Sequence, residues 1–92
     1  MDIQTLSKLK SKFVAREVGN ELIIVPLTGN VAQMNELFTL NETAKFLWES
    51  ISDDISYEDL AKLLTDEFEV DAETARRDIA AFLSTMDVLI KK

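Results

Sequence analysis

Apolar residues alternate along the first third of the chain and then recur with a helical period. Phe13 to Val18 and Glu21 to Leu27 are runs rich in β-branched residues around Gly19-Asn20, the kind of two-residue connection that closes a hairpin because glycine tolerates positive φ. With Val18 opposite Glu21, Phe13, Ala15, Leu22 and Ile24 share one face, and Val14, Ile23 and Val25 share the other. Both faces are therefore apolar. One face of a two-stranded ribbon should meet water, so the second face calls for cover by the N-terminal arm, a helix or a partner chain. Pro26 ends that strand or marks an edge, and Thr28-Gly29-Asn30 reads as a turn. Val31 to Gln33 adds at most a brief strand. Glu36 to Leu40 forms the last strand, short and at the edge of the sheet.

Beyond Leu40 the period becomes helical. Ala44, Leu47, Trp48 and Ile51 fall on one face of a helix spanning about 42–53. Asn41 is its N-cap, and Glu42 sits where the helix dipole favours negative charge. Phe46 lies on another side of that helix. After an Asp53-Asp54 turn, Ser56 caps a second helix. Asp59 approximates a capping box there, and Leu60, Leu63, Leu64 and Phe68 form the buried stripe. A tight connection through Glu69 and Val70 leads to Asp71, the cap of a third helix. Its core positions are Ala75, Ile79, Phe82 and Met86, with Leu83 beside them. Val88-Leu89-Ile90 is expected to close the chain as an extended tail. Residues 1–12 set Ile3, Leu6 and Leu9 at a spacing of three among Lys8, Lys10 and Lys12, which suits a brief amphipathic turn or a loose arm. The expected organisation is an arm over 1–12 and one domain over 13–90. Its fold class is α+β: an N-terminal three-stranded antiparallel sheet followed by three helices, like a winged helix-turn-helix.

Leu40, Asn41, Glu42, Thr43, Ala44 and Trp48 resemble the signature Leu-Asn-Glu-Thr-Gly-Ala-x-x-Trp of the coenzyme PQQ synthesis protein D family. Ala44 and Lys45 stand where the more usual residues are Gly and Ala. The preceding Met34-Asn35-Glu36-Leu37-Phe38-Thr39 run is similar to the strand before that signature, and the layout of three helices fits over about residues 13–90. The resemblance implies a small non-catalytic domain. Such a domain grips the leader of a ribosomally made precursor peptide and hands it to a modifying enzyme, such as a radical S-adenosylmethionine or peptide-cyclising enzyme.

Composition narrows the chemistry independently. Ninety-two residues with 47% hydrophobic content and seven aromatics suit one packed domain with a small core. The absence of cysteine and histidine removes thiol nucleophiles, disulfides, thiolate and imidazole ligands and the commonest general base. No nucleophile, base and orienting group can be assembled from what is left, and no calcium-loop spacing occurs among the acids. No enzyme activity, cofactor or metal is expected. Residues 1–40 hold four acids and four bases, and residues 41–92 hold thirteen acids and six bases, so the whole net charge of −7 lies in the helical half. A helix-turn-helix invites DNA binding, but the would-be recognition helix opens Asp71-Ala72-Glu73 and carries only Arg76 and Arg77 against its acids. Duplex phosphates would repel it. The N-terminus has no secretory core and no apolar run spans a bilayer, so a cytoplasmic location away from membranes is expected.

The last strand carries the sharpest functional signal. An edge strand with free N–H and C=O groups recruits another strand, and natural edges are usually blunted by charge or proline. Leu37-Phe38-Thr39-Leu40 has neither. Three readings remain open from the residues alone: the chain's own arm covers this edge, a homodimer mate covers it, or it receives a peptide. The resemblance selects the peptide. On that reading Glu36, Leu37, Phe38, Thr39 and Leu40 supply the backbone ladder, and a groove between this strand and the third helix takes alternate side chains. Arg76, Ala80 and Leu83 are the expected helix flank, with Ile79 and Phe82 beneath as the floor. Arg76 and Arg77 read either as a solvated pair or, for one of them, as the partner of an acid of the peptide.

Overall fold

A computed structural model describes residues 2–28, 31–32 and 37–90. The chain opens with helix α1 (Ile3–Leu9), capped by the Asp2 side chain, which accepts a hydrogen bond from the Thr5 N–H. A 3₁₀ turn (Lys10–Lys12) leads into strands β1 (Phe13–Val18), β2 (Glu21–Thr28), β3 (Val31–Ala32) and β4 (Phe38–Leu40). Helices α2 (Glu42–Ser50), α3 (Tyr57–Phe68) and α4 (Ala72–Ile90) follow. The order is that of an α+β, winged-helix-like domain, as the hydropathy pattern predicts.

Gly19 adopts φ +61°, the left-handed conformation that a tight hairpin connection demands. It sets β1 and β2 in the expected register, Val18 opposite Glu21 and Phe13 opposite Pro26. β2 is the central strand. β1 flanks it on one side, and on the other β4 pairs antiparallel through Leu22–Leu40, Ile23–Thr39 and Ile24–Phe38, with β3 pairing farther along at Leu27 and Thr28. Of the residues expected to form the linking turn and strands, Gly29-Asn30, Gln33 and Glu36 lie outside the described residues.

The core forms where the inner face of the sheet meets the helices. Leu22, Ile24 and Leu40 from the strands join Leu47, Trp48 and Ile51, then Leu60, Ala61 and Leu64, then Ala75, Ile79, Phe82 and Met86. Phe13 meets the Trp48 ring edge-on at 5.7 Å, and Phe46 finds its place edge-on against Phe68 at 5.5 Å. Such pairs add to the area they bury.

Three expectations change. On α3 the stripe turns toward Ala61, and Leu63 is 42% exposed. Leu60, Ala61, Leu64 and Phe68 cluster on one side of the helical wheel, leaving Leu63 on its margin. At the end of the chain α4 runs through Val88 to Ile90 in place of an extended tail, because no glycine or proline interrupts it and β-branched residues cost a helix only tenths of a kcal/mol each. The N-terminal arm is an ordered helix whose Ile3 and Leu6 are buried in the common core. Gln4 Nε2 donates to the Ile55 carbonyl at 2.8 Å, Ser7 Oγ to the Asp53 carboxylate at 2.8 Å, and Lys10 Nζ to the Ile51 carbonyl at 3.1 Å. The first two bonds fasten α1, and the third the 3₁₀ turn, to the α2–α3 connection. On the outer face of the sheet Val14, Val18 and Leu37 are about half exposed, and they border a shallow hollow of about 640 Å³ with Ile23 and Val25.

Candidate functional site

A groove of about 310 Å³ runs between β4, the first turns of α2 and the middle of α4. Phe38, Thr39 and Leu40 form its strand wall, Asn41, Thr43, Ala44 and Leu47 its α2 wall, and Asp78, Ala81, Phe82 and Thr85 its α4 wall. Local sequence explains this shape. Asn41 stops β4 and starts α2 in one step, its side chain accepting from the Ala44 N–H at 2.9 Å, so strand edge and helix start are held at a fixed angle. On α4 the four wall residues follow the i, i+3, i+4, i+7 repeat of a single face. Leu47 and Phe82 are buried and make an apolar floor. Ala44 and Ala81 are too small to fill the space above it.

β4 pairs with β2 along one side only, and among the described residues no strand lies along its other side. Antiparallel pairing directs the N–H and C=O groups of alternate residues to opposite sides, so part of the Phe38–Leu40 backbone is turned outward. That edge opens onto the groove.

The structure divides the residues singled out from sequence. Phe38, Thr39 and Leu40 line the groove; Leu37 is exposed beside the outer-face hollow, and Glu36 lies outside the described residues. On α4, Ile79 is wholly buried beneath the surface. Arg76 faces α3: the Tyr57 hydroxyl donates to its carbonyl at 2.8 Å, and its guanidinium meets the Glu58 carboxylate at 3.5 Å. Arg77 pairs with Glu73 one turn back at 3.4 Å. Leu83 packs half-buried against the core and Ala80 is exposed, neither being part of the groove lining. The core stripe of α4 has two flanks. Arg76, Ala80 and Leu83 occupy the one toward α3; Asp78, Ala81 and Thr85 occupy the one toward β4.

Residues 21–87 match the family model of coenzyme PQQ synthesis protein D (PqqD). The chain belongs to the PqqD family. The likeness first read from Leu40 to Trp48 is thereby borne out, and the match leaves α1 and β1 outside it. Among solved structures this PqqD-family chain is similar to TbiB1, determined in complex with the TbiA(beta) leader peptide, with a TM-score of 0.67 and 20% identity over 85% of each chain. No curated protein matches the chain.

Two lysines of this PqqD-family fold have identified surroundings. Lys45 on α2 pairs with Glu17 on β1, and that hydrogen bond holds its ammonium above the usual lysine range. Lys10 lies 5.6 Å from the centre of the Trp48 ring, and desolvation there lowers its pKa. Both cations sit away from the groove lining. Among the described residues no group of three or more His, Cys, Asp or Glu is arranged to hold a metal ion, and no helix is long and apolar enough to cross a membrane.

Proposed function

We propose that this PqqD-family domain is a non-catalytic, cytoplasmic recognition unit that takes the leader segment of a ribosomally synthesised precursor peptide as an added strand on β4. It then presents the peptide to a modifying enzyme of the radical S-adenosylmethionine or peptide-cyclising kind. The observation that carries this reading is the half-paired β4 edge opening directly onto the groove walled by α2 and α4. Strand addition supplies sequence-tolerant ladder bonds, and the groove supplies selectivity through alternate side chains. Within the site, Phe38, Thr39 and Leu40 give the ladder, and Leu47, Phe82 and the flank Asp78, Ala81 and Thr85 receive side chains. Leu37 borders the ladder at the outer face. The leader peptide seen on TbiB1, which shares the fold, supports the same reading.

Hydrogen exchange tests it without altering the protein. Synthetic peptides covering the short open reading frames encoded beside the gene are titrated against the full chain, and amide exchange is read with and without peptide. Binding is expected to slow exchange at the outward amides of Phe38–Leu40 and to leave the amides of β1 as they were. A peptide that binds while the β4 amides exchange unchanged would overturn strand addition.

A further inference from the structure

Asp78 is the single ionisable side chain in the groove lining. It is half-buried, and no cation among the described residues pairs with it. Its sequence neighbours Arg76 and Arg77 are turned to Glu58 and Glu73, and Lys45 to Glu17. The rest of the lining is neutral: apolar at Phe38, Leu40, Ala44, Leu47, Ala81 and Phe82, and hydroxyl or amide elsewhere. A strand entering the groove brings a neutral backbone, so the carboxylate sets the electrostatic demand on its side chains. A partly desolvated carboxylate left without a partner loses hydration and gains nothing in return, whereas a Lys or Arg placed against it makes a charge-assisted hydrogen bond. The whole net charge of −7 also resides in the helical half that builds two of the three walls, which draws cationic segments in and repels acidic ones.

Spacing adds a second constraint. Asp78 and Phe82 are four residues apart on α4, a rise of about 6 Å along the helix axis. Same-face residues of an extended strand are about 6.6 Å apart. Two successive groove-facing side chains of one strand therefore match these two positions.

We propose that Asp78 makes the groove selective for an extended segment carrying a lysine or arginine two residues from an apolar side chain. The cation meets the Asp78 carboxylate, and the apolar side chain rests on Phe82 and Leu47 in the space left by Ala44 and Ala81. This rests on the reading of the groove as the peptide site and reverses the charge expected when Arg76 and Arg77 were its basic residues.

Random ten-residue peptides displayed on phage, sorted on the full chain, are the test. Sorting is expected to enrich Lys or Arg two positions from an apolar residue. A synthetic peptide from that pool should bind Asp78→Asn about tenfold more weakly, with the gap closing as salt is raised. Sorting on Asp78→Lys should replace the basic preference by Asp or Glu. Circular dichroism checks that both variants fold. Peptides enriched without a basic residue, or bound equally by wild type and Asp78→Asn, sink the charge selection and leave the groove as a peptide site. If no peptide is enriched on the wild type, the peptide reading itself falls and this inference falls with it.

Discussion

The two edges of the sheet are built on opposite plans. β1, at one edge, runs six residues and carries Arg16 and Glu17 in its middle, with Glu17 tied to Lys45 on α2. β4, at the other, runs three residues, Phe38-Thr39-Leu40, without charge or proline. Charges on an edge strand discourage a second chain from pairing there, since docking would strip their hydration. The long edge, which offers the larger template for aggregation, is therefore the protected one. On the short edge a few backbone groups make too weak a ladder to hold a stranger by themselves. An incoming strand must draw the rest of its affinity from the helix-walled groove beside β4, whereas β1 borders only the shallow outer-face hollow. Openness and selectivity thus go together: the edge that is left bare is the one whose ladder is insufficient without side-chain contacts.

This contrast depends on α1 serving neither edge, and the largest expected effect tests that. Leu6 is fully buried in the core, and Leu6→Ala should cost about 2–4 kcal/mol of stability through lost burial and the cavity left behind. Chemical denaturation followed by tryptophan fluorescence measures it, Trp48 being the only tryptophan. Peptide affinity, measured where the variant is still folded, should equal that of the wild type. A rise in affinity would mean that α1 competes for the β4 edge, and the two edges would then differ less than their sequences suggest.

The next effect separates the edges directly. Ala81 is an exposed helix position on the groove wall, and Ala81→Trp fills the space above Phe82 at a helix-propensity cost of only tenths of a kcal/mol. Affinity for a groove-binding peptide should fall about a hundredfold, about 2.7 kcal/mol, with the melting temperature little changed. The double variant Arg16→Val with Glu17→Val bares β1 instead. It loses the pair with Lys45, whose Glu17 side is exposed and screened by solvent, and keeps its peptide affinity. Its signature is self-association that grows with concentration in gel filtration. Should Ala81→Trp leave affinity intact while the β1 variant loses it, the binding edge has been assigned to the wrong side of the sheet.

How far these features can be read without coordinates follows from the range of the interactions behind them. The hairpin register, the caps at Asn41, Ser56 and Asp71 and the core stripes of α2 and α4 are set by contacts between near neighbours, which a single sequence displays. The bare β4 edge is legible for the same reason. Which flank of α4 faces β4 is not. Both flanks adjoin the buried stripe Ala75, Ile79, Phe82 and Met86, and the choice depends on how α4 crosses the sheet, a long-range property. The two arginines draw attention to the flank toward α3, where each meets an acid, Glu58 or Glu73. The order of α1 was equally hidden, because three apolar residues in a lysine-rich segment form a helix in water only when a core exists to receive Ile3 and Leu6.

The smallest expected effect concerns the caps that begin the helices on the two sides of the molecule. Asp2 starts α1, which serves neither edge, and Asp71 starts α4, which walls the groove. The side chain and backbone of Thr5 hold the Asp2 carboxyl below its usual range, and the backbone and side chain of Thr74 do the same for Asp71, whose carboxylate accepts from the Thr74 N–H at 2.7 Å. A carboxyl whose folded pKa is depressed binds protons less readily in the folded chain. It therefore contributes stability above the unfolded value near 3.8, and loses that contribution as pH falls through the lower folded value. Asparagine caps a helix nearly as well as aspartate but does not titrate. Asp2→Asn and Asp71→Asn should therefore match the wild type near neutrality and lose less stability between about pH 5 and pH 2 in acid titrations followed by circular dichroism. Only the Asp71 variant should also preserve the groove at low pH, since only α4 forms a wall of it. An identical acid response in wild type and both variants would mean that the caps hold their helices no more firmly in one ionisation state than in the other.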